Sequence, residues 1–180
     1  MALRLGDPTA KYAGRLTLNP LKHIDWLGSI VVPLLSFWVG GIVFGWAKPV
    51  PYNPYNLKGG KRAEAMVALA GPASNLLIAA IFAVLIHVFG SQLPSAAFGL
   101  SVTIVVVNIT LACFNLIPIP PLDGSRILFS ILPAKFERFQ AFARQYALLA
   151  ILVFIFVLGP IFSLLVALIA RLFLGAASPF

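Results

Sequence analysis

Four stretches of this chain carry almost no charge, and no other feature of the sequence constrains the fold as strongly. They are residues 27–46, 65–89, 97–117 and 146–174, the last interrupted only by Arg171. The hydrocarbon core of a bilayer is about 30 Å thick, and crossing it takes about 20 helical residues. Within hydrocarbon every backbone amide must find its partner inside the protein, which favours helix. The 180 residues are 61% hydrophobic and 10% charged, whereas a soluble domain is about half apolar and about a quarter charged. The expected fold is an all-α polytopic membrane protein. Residues 1–180 read as a single integral membrane domain, with the lipid bilayer as its principal partner.

The first stretch differs from the others. It holds Pro33, Gly40, Gly41 and Gly45 and runs into Lys48-Pro49-Val50-Pro51, a density of breakers that weakens a straight helix. Charge placement adds to this. Arg4, Lys11, Arg15 and Lys22 precede it, and Lys48, Lys58, Lys61 and Arg62 follow it. If it spans, these two groups face opposite sides. If it dips in and returns, residues 1–26, 47–64 and 118–145 share one side, together with Arg126, Lys135, Arg138 and Arg144. Basic residues concentrate on the cytoplasmic side. The expectation is three transmembrane helices, one re-entrant or fourth hydrophobic segment, and basic loops in the cytoplasm. The net charge of +8 thus reports topology and headgroup contact. No motif or basic-aromatic stripe for nucleic acid is present.

Two short cytoplasmic β-strands are expected. Residues 14–20 alternate polar and apolar side chains before Asn19-Pro20, and residues 42–46 form a second candidate. An edge strand from 14–19 or 42–50 would hold an extended peptide by β-addition.

The polar residues inside the apolar runs are the candidates for chemistry. Gly71, Pro72 and Asn75 lie in the second run; Pro72 removes a backbone hydrogen bond, and the small residues let another helix approach. Asn75 is either helix-packing glue or a group aimed at a site. Asn108 and Asn115 lie seven apart, on one helical face. After Asn115 come Pro118, Pro120 and Pro121, which break the helix, and then Leu122-Asp123-Gly124. Asp123 is the only acid between Glu64 and Glu137. It reads as a cap or partner for Arg126, or as a metal ligand or proton-relay group. His23 and His87 have no partner at metal-binding spacing and read as structural. The Gly159-Pro160 pair in the last run shapes a lateral gate or fits a curved neighbour.

Several segments, taken together, resemble the site-2 protease family, the zinc intramembrane metalloproteases of peptidase family M50. They are Leu5-Gly6-Asp7-Pro8-Thr9-Ala10, residues 14–20, Lys22-His23-Ile24-Asp25, residues 44–51, Gly71-Pro72-Ala73-Ser74-Asn75, and Asn115 through Gly124. The resemblance implies that Asp123 is the third zinc ligand. It implies that Asn115 steadies the reacting carbonyl or its oxyanion, and that Gly71, Pro72 and Asn75 sit on a helix beside the site. It also implies a membrane-spanning protein substrate.

In that family the other two zinc ligands and the general base come from a His-Glu-x-x-His helix just before the Leu-Gly-Asp-Pro segment. This sequence contains no His-Glu-x-x-His, and its Leu5 stands four residues after Met1. The expectation is an N-terminally truncated, inactive form of a zinc endopeptidase. The alternatives are a pseudoprotease that binds membrane segments without cutting them, and a small transporter, since broken helices with Asn and Asp also suit ion coupling.

Overall fold

The computed structural model describes residues 1–179 apart from 18, 42–44, 46, 47 and 49; at Pro20, Gly40, Ala134 and Ala176 only the backbone is described. The chain forms two compact units, Met1–Ala63 and Glu64–Phe180.

The first unit is organised by a buried carboxylate. Asp7 has no exposed surface. Its Oδ1 accepts from the Thr9 N–H at 3.1 Å, from the Thr9 hydroxyl and from Asn56 Nδ2 at 3.1 Å, while Oδ2 accepts from the Asn53 N–H at 2.7 Å. The Lys58 N–H donates to the Leu5 carbonyl at 2.7 Å. Gly6 turns the chain at φ 102°, and a Cβ there would meet Lys58 Cγ at 3.0 Å. This tightness requires glycine.

The strand expected over 14–20 does not form among the described residues. The Gly14 N–H returns to the Lys11 carbonyl at 3.0 Å and the Arg15 N–H to Ala10 at 2.9 Å. Arg15 Nη1 donates to the Lys22 carbonyl, the Asn19 side chain accepts from the Leu21 N–H at 3.0 Å, and His23 Nε2 lies 3.0 Å from the Thr17 carbonyl. Local turn bonding thus takes up the groups a ladder would need. The second strand candidate, 42–46, lies outside the described residues except for Gly45, which is in no strand.

A wide π-turn over Leu27–Val31 leads into helix α1, Val32–Gly40. Asp25 Oδ1 accepts from the Gly28 N–H at 2.9 Å and so caps its start. Gly41 ends it at φ 67°, its N–H on the Phe37 carbonyl. At 1.5 Å per residue the run from 27 to 40 is roughly 20 Å long, short of a full crossing. The chain then comes back. A Cβ on Gly45 would stand 2.6 Å from the Gly28 carbonyl oxygen and 2.7 Å from Pro33 Cγ. The Lys48 N–H donates to the His23 carbonyl at 3.1 Å. The two ends of the apolar stretch are therefore together.

The second unit carries helices long and apolar enough to cross a membrane. The apolar helical segments are Gly60–Gln92, Ser95–Asn115 and Ala147–Leu174, within a few residues of three of the four sequence runs. Helix α2 is Gly60–Phe89, α3 Ser95–Asn115, α4 Asp123–Ile131 and α5 Glu137–Gln145. The last span comprises α6, Ala147–Val153, a π-turn over Phe154–Leu158, and α7, Gly159–Leu174. Pro160 lacks an N–H and its ring crowds the carbonyl four residues back, which accounts for the widened turn before it.

Ala79, Ala83 and Ile86 of α2 pack with Val105 and Ile109 of α3 and with Val166, Ala170 and Leu174 of α7. Spacings of three and four place each set on one face, and the alanines allow close approach. Hydroxyls and amides in the spans bond back into their own helices: Ser101 to Ala97, Thr110 to Val106, Asn108 to Ile104. His87 Nδ1 lies 2.8 Å from the Ala83 carbonyl.

Candidate functional site

Asp123 is the first residue of α4, and its position depends on its successor. A Cβ on Gly124 would overlap the backbone carbonyls of Leu116 and Ile117. Glycine there lets the first turn of α4 sit directly on the loop that leaves α3. The proline run between them forces that loop, and Pro120 is buried within it. Ser125 is also buried, its hydroxyl on the Leu122 carbonyl at 2.8 Å.

So held, the Asp123 carboxylate lies against α2. A Cβ on Gly71 would stand 3.3 Å from Asp123 Oδ2. The next residue, Pro72, is fully buried. Asn75 follows Gly71 by one turn and shares its face. Arg126 Nη1 lies 3.6 Å from Asp123 Oδ1. Burial pushes the Asp123 carboxyl above its ordinary value, and the Arg126 guanidinium only partly opposes this. The group is thus more easily protonated than a surface aspartate.

Asn115 is the last residue of α3, and its Nδ2 donates to the Leu111 carbonyl at 2.9 Å. An amide nitrogen carries two hydrogens, so one donor remains. Among the described residues no hydrogen bond joins Asn115 or Asn75 to Asp123. The structure brings Gly71 and Asp123 together and leaves the two amides as neighbours along their helices. Also among the described residues, no group of three His, Cys, Asp or Glu side chains is arranged to hold a metal ion.

Beside the exit of α3 lies an open apolar cavity of about 420 Å³, lined by Cys113, Leu116, Ile117, Phe154, Leu158 and Phe162 among others. Phe114, Phe154 and Phe162 meet edge to face, with centroids 5.7 to 6.4 Å apart. The widened turn of the last span therefore borders the loop that carries Asp123.

Sequence reasoning gave no role to two residues that matter here. Gly124 had a signal, as the residue directly after the candidate ligand. Asp7 had only its place in a Gly-Asp-Pro turn.

These features define a class: a polytopic helical membrane protein with a half-buried carboxylate at the mouth of one span, set against a glycine of another. The family model described as Peptidase family M50 matches residues 94–159, which hold both Asn115 and Asp123. A Bacillus subtilis protein named "Putative zinc metalloprotease YwhC" is 38% identical over 160 residues, covering 85% of this chain and 70% of that protein. "Putative zinc metalloprotease Rip2" of Mycolicibacterium smegmatis is 32% identical over 152 residues, covering 84% of this chain but only 58% of that protein. No solved structure matches. The chain belongs to peptidase family M50.

Proposed function

We propose that this chain is part of a zinc-dependent intramembrane endopeptidase, in which Asp123 is the one zinc ligand the chain contributes. The observation carrying this reading is the approach of Asp123 to Gly71, since it unites two motifs 52 positions apart in sequence. The side-chain-free surface at Gly71 leaves room for the Asp123 carboxylate, which would contribute one ligand to a metal. Asn115, with its remaining N–H, orients the carbonyl oxygen of a membrane-spanning substrate, and Asn75 lines the same helix face as Gly71.

A catalytic zinc site takes three protein ligands and an open position for water. One carboxylate does not supply that set, so the described residues do not fit a complete zinc site. On this reading the two histidines and the general base lie in a His-Glu-x-x-His helix outside these 180 residues, and zinc, once held, would activate a water. This chain's own residues place the carboxylate, orient the peptide and exclude bulk water. Residues 1–180 act as one multi-pass unit of the cell membrane. The segment 27–46 is re-entrant, and the basic loops face the cytoplasm.

Metal analysis tests the reading. The purified 180-residue chain is expected to hold no zinc at micromolar affinity. A form extended upstream in the genomic reading frame is expected to bind one equivalent and lose it on Asp123→Ala. Tight zinc binding by the short chain would overturn the ligand assignment. A stop codon immediately upstream would instead favour the second reading, a pseudoprotease that binds membrane segments.

A further inference from the structure

Helix α5 has two unlike faces. At 100° per residue, Phe139, Phe142, Ala143 and Tyr146 fall on one side, with Glu137, Arg138, Ala141, Arg144 and Gln145 on the other. The aromatic side is not covered by protein: Phe139 is 50% exposed, Phe142 59% and Tyr146 43%. The rings of Phe142 and Tyr146 lie 4.6 Å apart, so the face is continuous.

What covers this face follows from what comes next. Ala147 opens the segment Ala147–Leu174, which is long and apolar enough to cross a membrane. Helix α5, nine residues long, ends two residues before Ala147 and is therefore tethered to the start of that segment. At Tyr146 the backbone leaves the helical region, with φ −100° and ψ 19°, so α5 does not simply prolong the span. The charges are Lys135, Arg138 and Arg144 against Glu137. Arg144 lies over the Phe129 ring at 5.7 Å, bracing α5 against α4.

We propose that α5 is an interfacial helix, seating Phe139, Phe142 and Tyr146 at the acyl–headgroup boundary while Lys135 and Arg138 meet anionic lipid headgroups. Aromatic and basic faces on one short helix suit that environment. Because α4 begins at Asp123 and is braced to α5 through Phe129, the lipid surface sets the depth at which Asp123 sits. The inference is independent of any proteolytic role.

The test uses the full chain with Cys113→Ser, in nanodiscs of phosphatidylcholine alone or mixed with phosphatidylglycerol. Spin labels go on Phe139→Cys, Phe142→Cys, Ala141→Cys and Gln145→Cys, one at a time. Oxygen, which dissolves in lipid, should reach positions 139 and 142, and a water-soluble nickel chelate should not. Positions 141 and 145 should show the reverse. Phosphatidylglycerol should raise the oxygen-to-nickel ratio at 139 several-fold, and Lys135→Gln with Arg138→Gln should abolish that rise. Free nickel access at 139 and 142 would place the helix in water and overturn the proposal. Exclusion of both reagents would put a protein surface there, a second copy included, and overturn it equally. Indifference to phosphatidylglycerol would overturn the anionic headgroup contact. Labels at 141 and 145 keep every ring, so they report even if a ring replacement unfolds the chain.

Discussion

The carboxylate of Asp123 rests where Gly71 offers no side chain, 3.3 Å from the point a Cβ would occupy. The two residues come from different helices, and neither placement is local. The proline-broken loop and Gly124 bring Asp123 in, and the Gly71 surface leaves room for it. Gly71→Ala should shift Oδ2 by a few tenths of an ångström. Gly71→Val should displace it outright. In a zinc-holding longer form, we expect Val to reduce metal content or cleavage of a membrane-spanning substrate by at least about tenfold, as ligand mispositioning does elsewhere. Ala should cost several-fold less. Equal activity for Val and wild type would separate Gly71 from the site.

Asp123→Asn should leave the fold of this chain intact. Burial already disfavours the charged form, and the amide is isosteric. The expected stability change is within about 1 kcal/mol, as for substitutions that open no cavity and strand no charge. Thermal unfolding in detergent measures it. A loss of several kcal/mol would recast Asp123 as a structural ion-pair partner of Arg126.

Gly124→Ala tests the support beneath the site. Its Cβ would overlap the carbonyls of Leu116 and Ile117, which are backbone and cannot swing aside. The loop must move, at a cost of about 2–4 kcal/mol by analogy with overpacked positions. Reversible unfolding of the purified chain reads this directly. Alanine tolerated without loss would show the approach to be looser than described.

Asp7 predicts a pH dependence. Burial raises its carboxyl, but hydrogen bonds from Thr9, Asn53 and Asn56 more than offset this and hold it at about 2, against 3.8 for the free group. A carboxyl lowered in the folded state adds stability that is fully present above its unfolded value. That stability is lost as pH falls through its folded value. The first unit should therefore loosen between about pH 4 and pH 2. Protection of the Asn53 and Thr9 amides, measured as the exchange rate relative to the intrinsic rate at each pH, should fall across that window in the wild type. In Asp7→Asn that protection should be low already at pH 6 and change little with acid.

The spans and the family were legible in the sequence because both are written locally. A charge-free run of twenty residues has few fates in lipid, and the Asn115 to Gly124 element carries its own helix break. The strand at 14–20 was misread for a physical reason. Alternation of polar and apolar residues also suits a turn, and Arg15 had a bonding partner at Ala10 before any strand could pair with it. The hub at Asp7 was illegible for the opposite reason. Its partners Asn53 and Asn56 lie 46 and 49 residues away, and no periodicity links them.

The last span behaves mechanically as a beam clamped at one end. Val166, Ala170 and Leu174 fix its far half into the bundle, while none of its residues from Ala147 to Leu158 is buried. The Phe154–Leu158 turn lies at the limit of the clamped part. A bend there would disturb few packed atoms, so displacing the near half would cost less than displacing the far half. Phe154 and Leu158 line the apolar cavity beside the exit of α3, so a bend at this turn would change that cavity's width.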